Sequence, residues 1–493
     1  MEIPANASLI LCIIAASFVS KVLGHHGRAD RNDPNEKVFN VLRYGAHRGR
    51  EDNAPSFIRA WKAACNYRGK ARLLFPKGTF LIGATIFQGP CQGPAPIKVQ
   101  IAGTLKAVPD PSTYEEDFWI LFENINGLLV TGTGTVDGQG NAVWKYDVGD
   151  GGAKFPSSIK LNHVVNGIIR QITSMNPMGF RISIVLSQNT KAKNLAIFVE
   201  WSCLRSTIST DCRCEFILGS RVGSFGSGMF LSQPISSVAR CGTCYGFGLP
   251  WEDLTGKPLL PLFFKILNDP KYLYVNFSFL FLGMLDCLNG WSRSPNTHGI
   301  HISKTNQVYV SSSVIGTGDG CIGIIRGCTD VHIRNVICGP GHGISIGSLG
   351  NYQDKDDVGG ITVKNCTCNK TDDGIRIKTY GISPPSQASG IPFQDIVMDR
   401  VKNPIIIDQS YGNKESASRV KLSDVRYQNV RGTSTSVVGV NIKCSHPVPC
   451  ERVSLSNINL NYVGAKQHNH EISSVCTNAK LNFAGFQQPS PCR

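Results

Sequence analysis

The sequence predicts an all-β chain wound as a right-handed parallel β-helix, with one helix capping its N-terminal end. Three observations carry this. Short segments recur in which a polar residue precedes alternating β-branched positions. Examples are Asn126-Gly-Leu-Leu-Val, Asn166-Gly-Ile-Ile, Asn306-Gln-Val-Tyr-Val, Asp330-Val-His-Ile, Gly360-Ile-Thr-Val, Asp395-Ile-Val-Met and Arg452-Val-Ser-Leu. From Asn306 onward they return about every two to three dozen residues, as coils that bury an apolar face only by stacking on their neighbours. The chain also holds 51 glycines among 493 residues, with only 17% charged residues, which suits many tight turns. A β-sandwich is the rival architecture on this pattern, since it too has short strands between turns.

Taken from the N-terminus, Leu9 to Ser20 is an apolar run, with the small residues Val22 and Gly24 before His25. It reads as a secretory signal peptide over 1–24, too short to cross a bilayer comfortably. The 18 cysteines agree with an oxidising compartment, and Asn276, Asn365 and Asn369 stand in glycosylation sequons. Asn53 to Cys65 is the one helical pattern, with Ala54, Phe57, Ile58, Trp61 and Ala64 on one side, where a cap over the first coil is required.

From about Trp201 to Trp291 the strand period stops. This stretch holds six cysteines and the apolar runs Leu259–Phe264 and Tyr272–Leu282. Cys241-x-x-Cys244 has no second pair at metal spacing, so no metal site is expected. The abundance of Phe, Leu, Ser, Cys, Tyr and Val is what T-rich DNA encodes, so 201–291 reads as an insertion of doubtful structure or an imperfect gene model, interrupting a domain that spans 37–493. Its charges nearly cancel, with seven basic and six acidic residues. The net charge of +15 therefore lies elsewhere and favours polyanions. Nucleic acid is excluded as a partner for want of an aromatic-basic motif, and no membrane span is expected.

Four motifs follow the interruption: Ser294-Pro-Asn-Thr-His-Gly299, Gly316-Thr-Gly-Asp-Gly-Cys321, Gly341-His-Gly343 and Gly374-Ile-Arg-Ile-Lys378. On successive coils of a β-helix, Asp319, His342, Arg376 and Lys378 would converge in one groove. Together with Phe39-Asn-Val-Leu-Arg-Tyr-Gly-Ala, Trp61-Lys-Ala-Ala-Cys65 and Gly132-Thr-Gly-Thr-Val-Asp-Gly-Gln-Gly140, these motifs resemble glycoside hydrolase family 28, the polygalacturonases. The likeness is closest to plant exo-acting members and covers roughly residues 37–200 and 293–493.

The resemblance implies a pectin-lyase-like solenoid, secretion to the cell wall, a monomer, no cofactor, and inverting hydrolysis of α-1,4-galacturonan in pectin. It implies Asp319 as the general acid, His342 as the active-site histidine, Arg376 and Lys378 as the cations for the substrate carboxylate, and Tyr411 as a subsite tyrosine. It also implies disulfides Cys321–Cys338, Cys444–Cys450, Cys476–Cys492 and Cys65–Cys91.

Two positions depart from the family pattern. His298 stands where S-P-N-T-D-G has Asp, and Gly320 where G-D-D-C has its second Asp. Inverting glycosidases need an acid and a separate carboxylate base. A histidine, with its reference pKa of about 6.5, is largely protonated in an acidic wall and makes a poor base. Asp319, having lost carboxylate neighbours and gained an imidazole, is expected to have a lowered pKa. Weak or absent activity follows, and a catalytically inactive pectin-binding member is the alternative. A pectate lyase on the same fold would want clustered carboxylates for calcium, which this groove has lost. Asp372 and Asp373 add carboxylates nearby, with no role implied for them.

Overall fold

In the segments Ile300–Ser303, Ile322–Ile324, Ile344–Leu349, Asp373–Tyr380 and Asn403–Tyr411, isoleucines alternate with other side chains, so each strand turns one apolar row inward. A single coil cannot cover that row. Stacked in parallel, each coil covers the next. The computed structural model describes residues 33–49, 51–146, 155–198, 211–212, 244–245, 294, 297–351, 357–412, 417–464 and 471–492. The chain divides into two units, Met1–Val199 with Trp291–Arg493, and Glu200–Gly290.

The first unit is a right-handed parallel β-helix of 28 strands. Its pairings form three ladders, one per face. The first ladder runs from Lys37–Asn40 through Ala71–Phe75 and onward to Ala479–Gln488. The second begins at Thr79–Ile82 and includes Thr135–Asp137 and Ala196–Phe198. The third begins at Thr85–Gln88 and carries the isoleucine strands named above. The coil before residue 199 pairs directly with the coil after 297, with Ile184 opposite Ile302 and Thr190 opposite Val308.

Corners between the first and second ladders are sharp, and Asn335, Asn365, Asn429 and Asn457 take the left-handed backbone there. Asparagine tolerates that conformation because its short amide bonds locally. The amides also run between coils, Asn365 donating to Asn335 (2.7 Å) and Asn429 to Asp395 (2.8 Å).

The helix forms over Ala54–Cys65 and closes the first coil. Phe57 and Trp61 are fully buried against Phe75, Phe80, Phe87 and Phe122, and Trp61 Nε1 donates to the Gln88 carbonyl (2.9 Å). Each such side chain contributes about 1.5–3 kcal/mol by leaving water. The disulfides Cys65–Cys91, Cys321–Cys338, Cys444–Cys450 and Cys476–Cys492 are all formed. Among the described residues Cys328, Cys366 and Cys368 are buried thiols.

In the second unit a two-residue antiparallel pairing joins Asp211–Cys212 to Cys244–Tyr245. The readings made of 1–24 as a leader and of 201–291 as an irregular insertion otherwise lie outside the described residues. No described helix is long and apolar enough to cross a membrane.

Candidate active groove

The third ladder positions the site. Ile300, Ile322, Ile344, Ile375 and Ile405 stack in register as a buried floor. The turn entering each of these strands delivers the polar groups: His298, then Asp319 and Gly320, then His342, then Asp372 and Asp373. Arg376 and Lys378 face outward from the strand itself, alternating with Ile375 and Ile377.

Four of these groups form one chain of close charged contacts, centred on the hydrogen bond between His342 and Asp319. Asp372 Oδ2 lies 3.2 Å from His342 Nε2, and His342 Nδ1 lies 2.8 Å from Asp319 Oδ1. Asp319 Oδ2 is then 3.1 Å from His298 Nε2. Asp319 also accepts from the Gly320 N–H at 2.7 Å, and its carbonyl accepts the His342 N–H at 2.7 Å. Burial pushes the Asp319 carboxyl up, but the bonds from His298 and His342 outweigh it and hold it well below the usual carboxylate range. His342 moves the other way: its bond to Asp319 raises it, burial opposes, and the charges of Asp319, Asp372 and Asp373 add. Asp319 is thus an ionised acceptor, and His342 lies between two carboxylates that favour its protonated form.

His298 and Gly320 share one volume. A Cβ on residue 320 would stand 2.5 Å from His298 Nδ1 and 2.9 Å from its Cε1. Any side chain at 320 therefore requires the imidazole to move. Phe180 fixes that ring edge-on at 4.9 Å and stacks on His301 at 4.5 Å. Burial, with His298 and Lys160 adding, drops the His301 pKa to about 3, so His301 is neutral.

The cationic end of the groove is also tied internally. Asp373, 5% exposed, bonds Arg376 Nη1 at 2.6 Å and accepts from Asn403 Nδ2 at 3.0 Å. Arg376 Nε is buried without a hydrogen-bond partner among the described residues. The Tyr411 ring lies under both cations, 5.3 Å from the guanidinium carbon and 4.6 Å from Lys378 Nζ. Burial and Arg376 lower the Lys378 pKa, while Asp319, Asp373 and Asp408 oppose that. Arg376, Lys378 and Tyr411 make a surface suited to a planar anion on a ring. No group of three or more metal-ligating side chains is found among the described residues.

The groove residues singled out in the sequence, His298, Asp319, Gly320, His342, Arg376, Lys378 and Tyr411, lie along this one ladder. Sequence reasoning left Asp372 and Asp373 without partners. Alternation in a strand puts residues three apart on opposite faces, which hides the Asp373–Arg376 pair. Asp373 reaches Arg376 because it is the first residue of its strand, at the corner. Phe180 carries no motif and could be found only through the stacking of coils.

The sequence profile described as glycosyl hydrolases family 28 matches residues 65–202 and 286–485. An exopolygalacturonase of Arabidopsis thaliana is 33% identical over 98% of this chain and 95% of its own length. One from Platanus acerifolia is 35% identical over 92% and 97%. Among solved structures, a hyperthermoactive exopolygalacturonase from Thermotoga maritima superposes with a TM-score of 0.61 at 16% identity, covering 96% of each chain. An endo-xylogalacturonan hydrolase from Aspergillus tubingensis gives 0.59 at 18% identity, covering 91% of this chain and all of its own; both likenesses bear on the fold alone. With strand register, groove motifs and full-length relatives in agreement, this chain belongs to glycosyl hydrolase family 28, the polygalacturonase family of O-glycosyl hydrolases.

Proposed function

We propose that this chain is a secreted, wall-located protein that binds galacturonan through Arg376, Lys378 and Tyr411 and hydrolyses it slowly, by exo-acting inversion. The observation that carries the low turnover is the position of Asp319 between two imidazoles. A general acid must be protonated at the working pH. Asp319 is held ionised, so it cannot protonate the glycosidic oxygen. On the other side of the bond, water activation falls to His298, whose Nε2 is already engaged with Asp319. Both halves of the inverting pair are therefore impaired by the same two replacements, His298 and Gly320. The binding half remains, which favours galacturonan recognition over catalysis as the principal activity.

The test separates binding from turnover. Calorimetry with trigalacturonate is expected to show binding that Lys378→Ala weakens. Reducing-end release from polygalacturonate near pH 5 is expected to be far below that of a family member carrying all three aspartates. Strong release that persists in Asp319→Asn would show that the active site lies elsewhere.

A further inference from the structure

The outward side of the first ladder carries a column of residues that the groove does not use. Read across neighbouring coils, Arg170 stands opposite Lys193, Lys193 opposite Ser311, Ser311 opposite Arg334, and Arg334 opposite Lys364. Adjacent strands are about 4.7–4.9 Å apart. Arg334 and Lys364 are thus like charges directly opposed, an arrangement that destabilises a sheet. Elsewhere on the solenoid, cations reach across coils to carboxylates: Lys160 to Asp117, Arg452 to Asp424, Lys421 and Lys480 to Glu451. Among the described residues, Lys193 and Arg334 have no such carboxylate, and Lys364 reaches Asp395 only at 3.8 Å. Arg431, Asn335 and Asn365 line the same surface hollow as Arg334, Lys364 and Asp395.

We propose that this column is a second binding site, separate from the groove, for the carboxylates of an acidic polysaccharide lying along the solenoid axis. Two pairs of cations in one file one residue wide, with Ser311 between them, fit a linear polymer that carries carboxylates along its length. A membrane surface would want a broad basic face with apolar side chains to insert, and this hollow is lined by charges and amides. The opposed charges cost stability in the free protein, and an anionic chain offsets that cost. The choice of galacturonan as the polymer rests on the function proposed above; the site itself does not. A long chain held at column and groove together gains avidity that a short oligomer, too short to span both, does not.

The experiment compares the parent, the double variant Arg334→Gln with Lys364→Gln, and Lys378→Ala. Each is titrated with polygalacturonate and with trigalacturonate over a salt series. The column variant is expected to bind polymer at least about tenfold more weakly, with a shallower salt dependence, and to bind trigalacturonate as the parent does. Without polymer its Tm is expected to equal or exceed the parent's. Lys378→Ala should weaken both ligands. Polymer affinity unchanged in a folded column variant would overturn the proposal, as would phosphatidylserine vesicles binding with the same dependence on the column. Polymer binding through the column in a parent that ignores trigalacturonate would sink the groove reading and leave the column standing.

Discussion

The floor and the rim of the groove lie a few residues apart in the same coils, yet they obey different rules. On the floor one column reads Ile300, Ile322, Ile344, Ile375, Ile405. On the rim the turns entering those strands carry His298, Asp319 with Gly320, His342, and Asp372 with Asp373. Floor residues touch the coil above and the coil below, so each must match two neighbours in shape. Rim residues reach solvent and need match only the groups beside them. A floor change is expected to cost the fold more than a rim change does, while a rim change acts mainly on the groups that face the groove. The rim can therefore carry His298 and Gly320 in place of carboxylates while the solenoid stands.

The largest expected effect breaks this comparison at the rim. Restoring both carboxylates, His298→Asp with Gly320→Asp, is expected to raise reducing-end release near pH 5 by about 10²–10⁴-fold. The order of the changes matters, because a Cβ at 320 meets His298 at 2.5 Å. Gly320→Asp alone should give no gain and a lower Tm, whereas His298→Asp alone should give a modest gain. Equal, additive gains from the two single changes would show that the imidazole does not occupy that volume.

The next effect breaks it at the floor. Ile322→Ala, in the buried column, should cost about 2–5 kcal/mol in denaturant unfolding, by burial lost and cavity left. A loss under about 1 kcal/mol would mean that the coils relax around the gap and that the floor is no stricter than the rim.

Between them stand the two cations. Removing either should weaken trigalacturonate binding about tenfold or more, as expected for hydrogen bonds to charged groups. Their stability effects should differ. Arg376→Ala leaves the buried Asp373 without its 2.6 Å partner, whereas Lys378→Ala orphans no buried acid. Equal unfolding midpoints for the two variants would contradict the Asp373 clamp.

The smallest effect is in pH dependence. His342 is raised from 6.5, chiefly by its bond to Asp319. Its contribution to stability is fully present below the unfolded value of about 6.5 and is lost as pH rises through the folded value. Asp319 is depressed, so its contribution holds above about 4 and is lost as pH falls through its folded value. The network is complete between those limits. In a proton NMR titration His342 should titrate above 6.5, and in Asp319→Asn it should return toward its ordinary value. An unmoved midpoint in that variant would sever the link between the two residues.

Much of this was legible in the sequence. Alternation and repeat gave the strands, because an isoleucine row at period two has one low-energy use, a buried face. The helix at Ala54–Cys65 was legible from its spacing, and the four groove motifs from their order. Other features were not. Asp373 and Arg376 sit at positions that alternation assigns to opposite faces, and only the corner at the start of the strand brings them together. Phe180 and His298 are far apart along the chain, and only coil stacking makes them neighbours.

Periodicity pointed to a chain wound in stacked coils and composition to basic charge lying outside 201–291, while the resemblance to family 28 is what marks two carboxylates as missing from its pattern. These are properties of types and spacings, which a linear string contains. The tertiary structure decided what those losses mean. It placed His298 in the volume that a side chain at 320 would fill, set Asp319 between two imidazoles so that it stays ionised, and aligned Arg334 with Lys364 across neighbouring strands. Each of these is a distance between residues on different coils, fixed by the register of one coil on the next, and no single strand's sequence states that register.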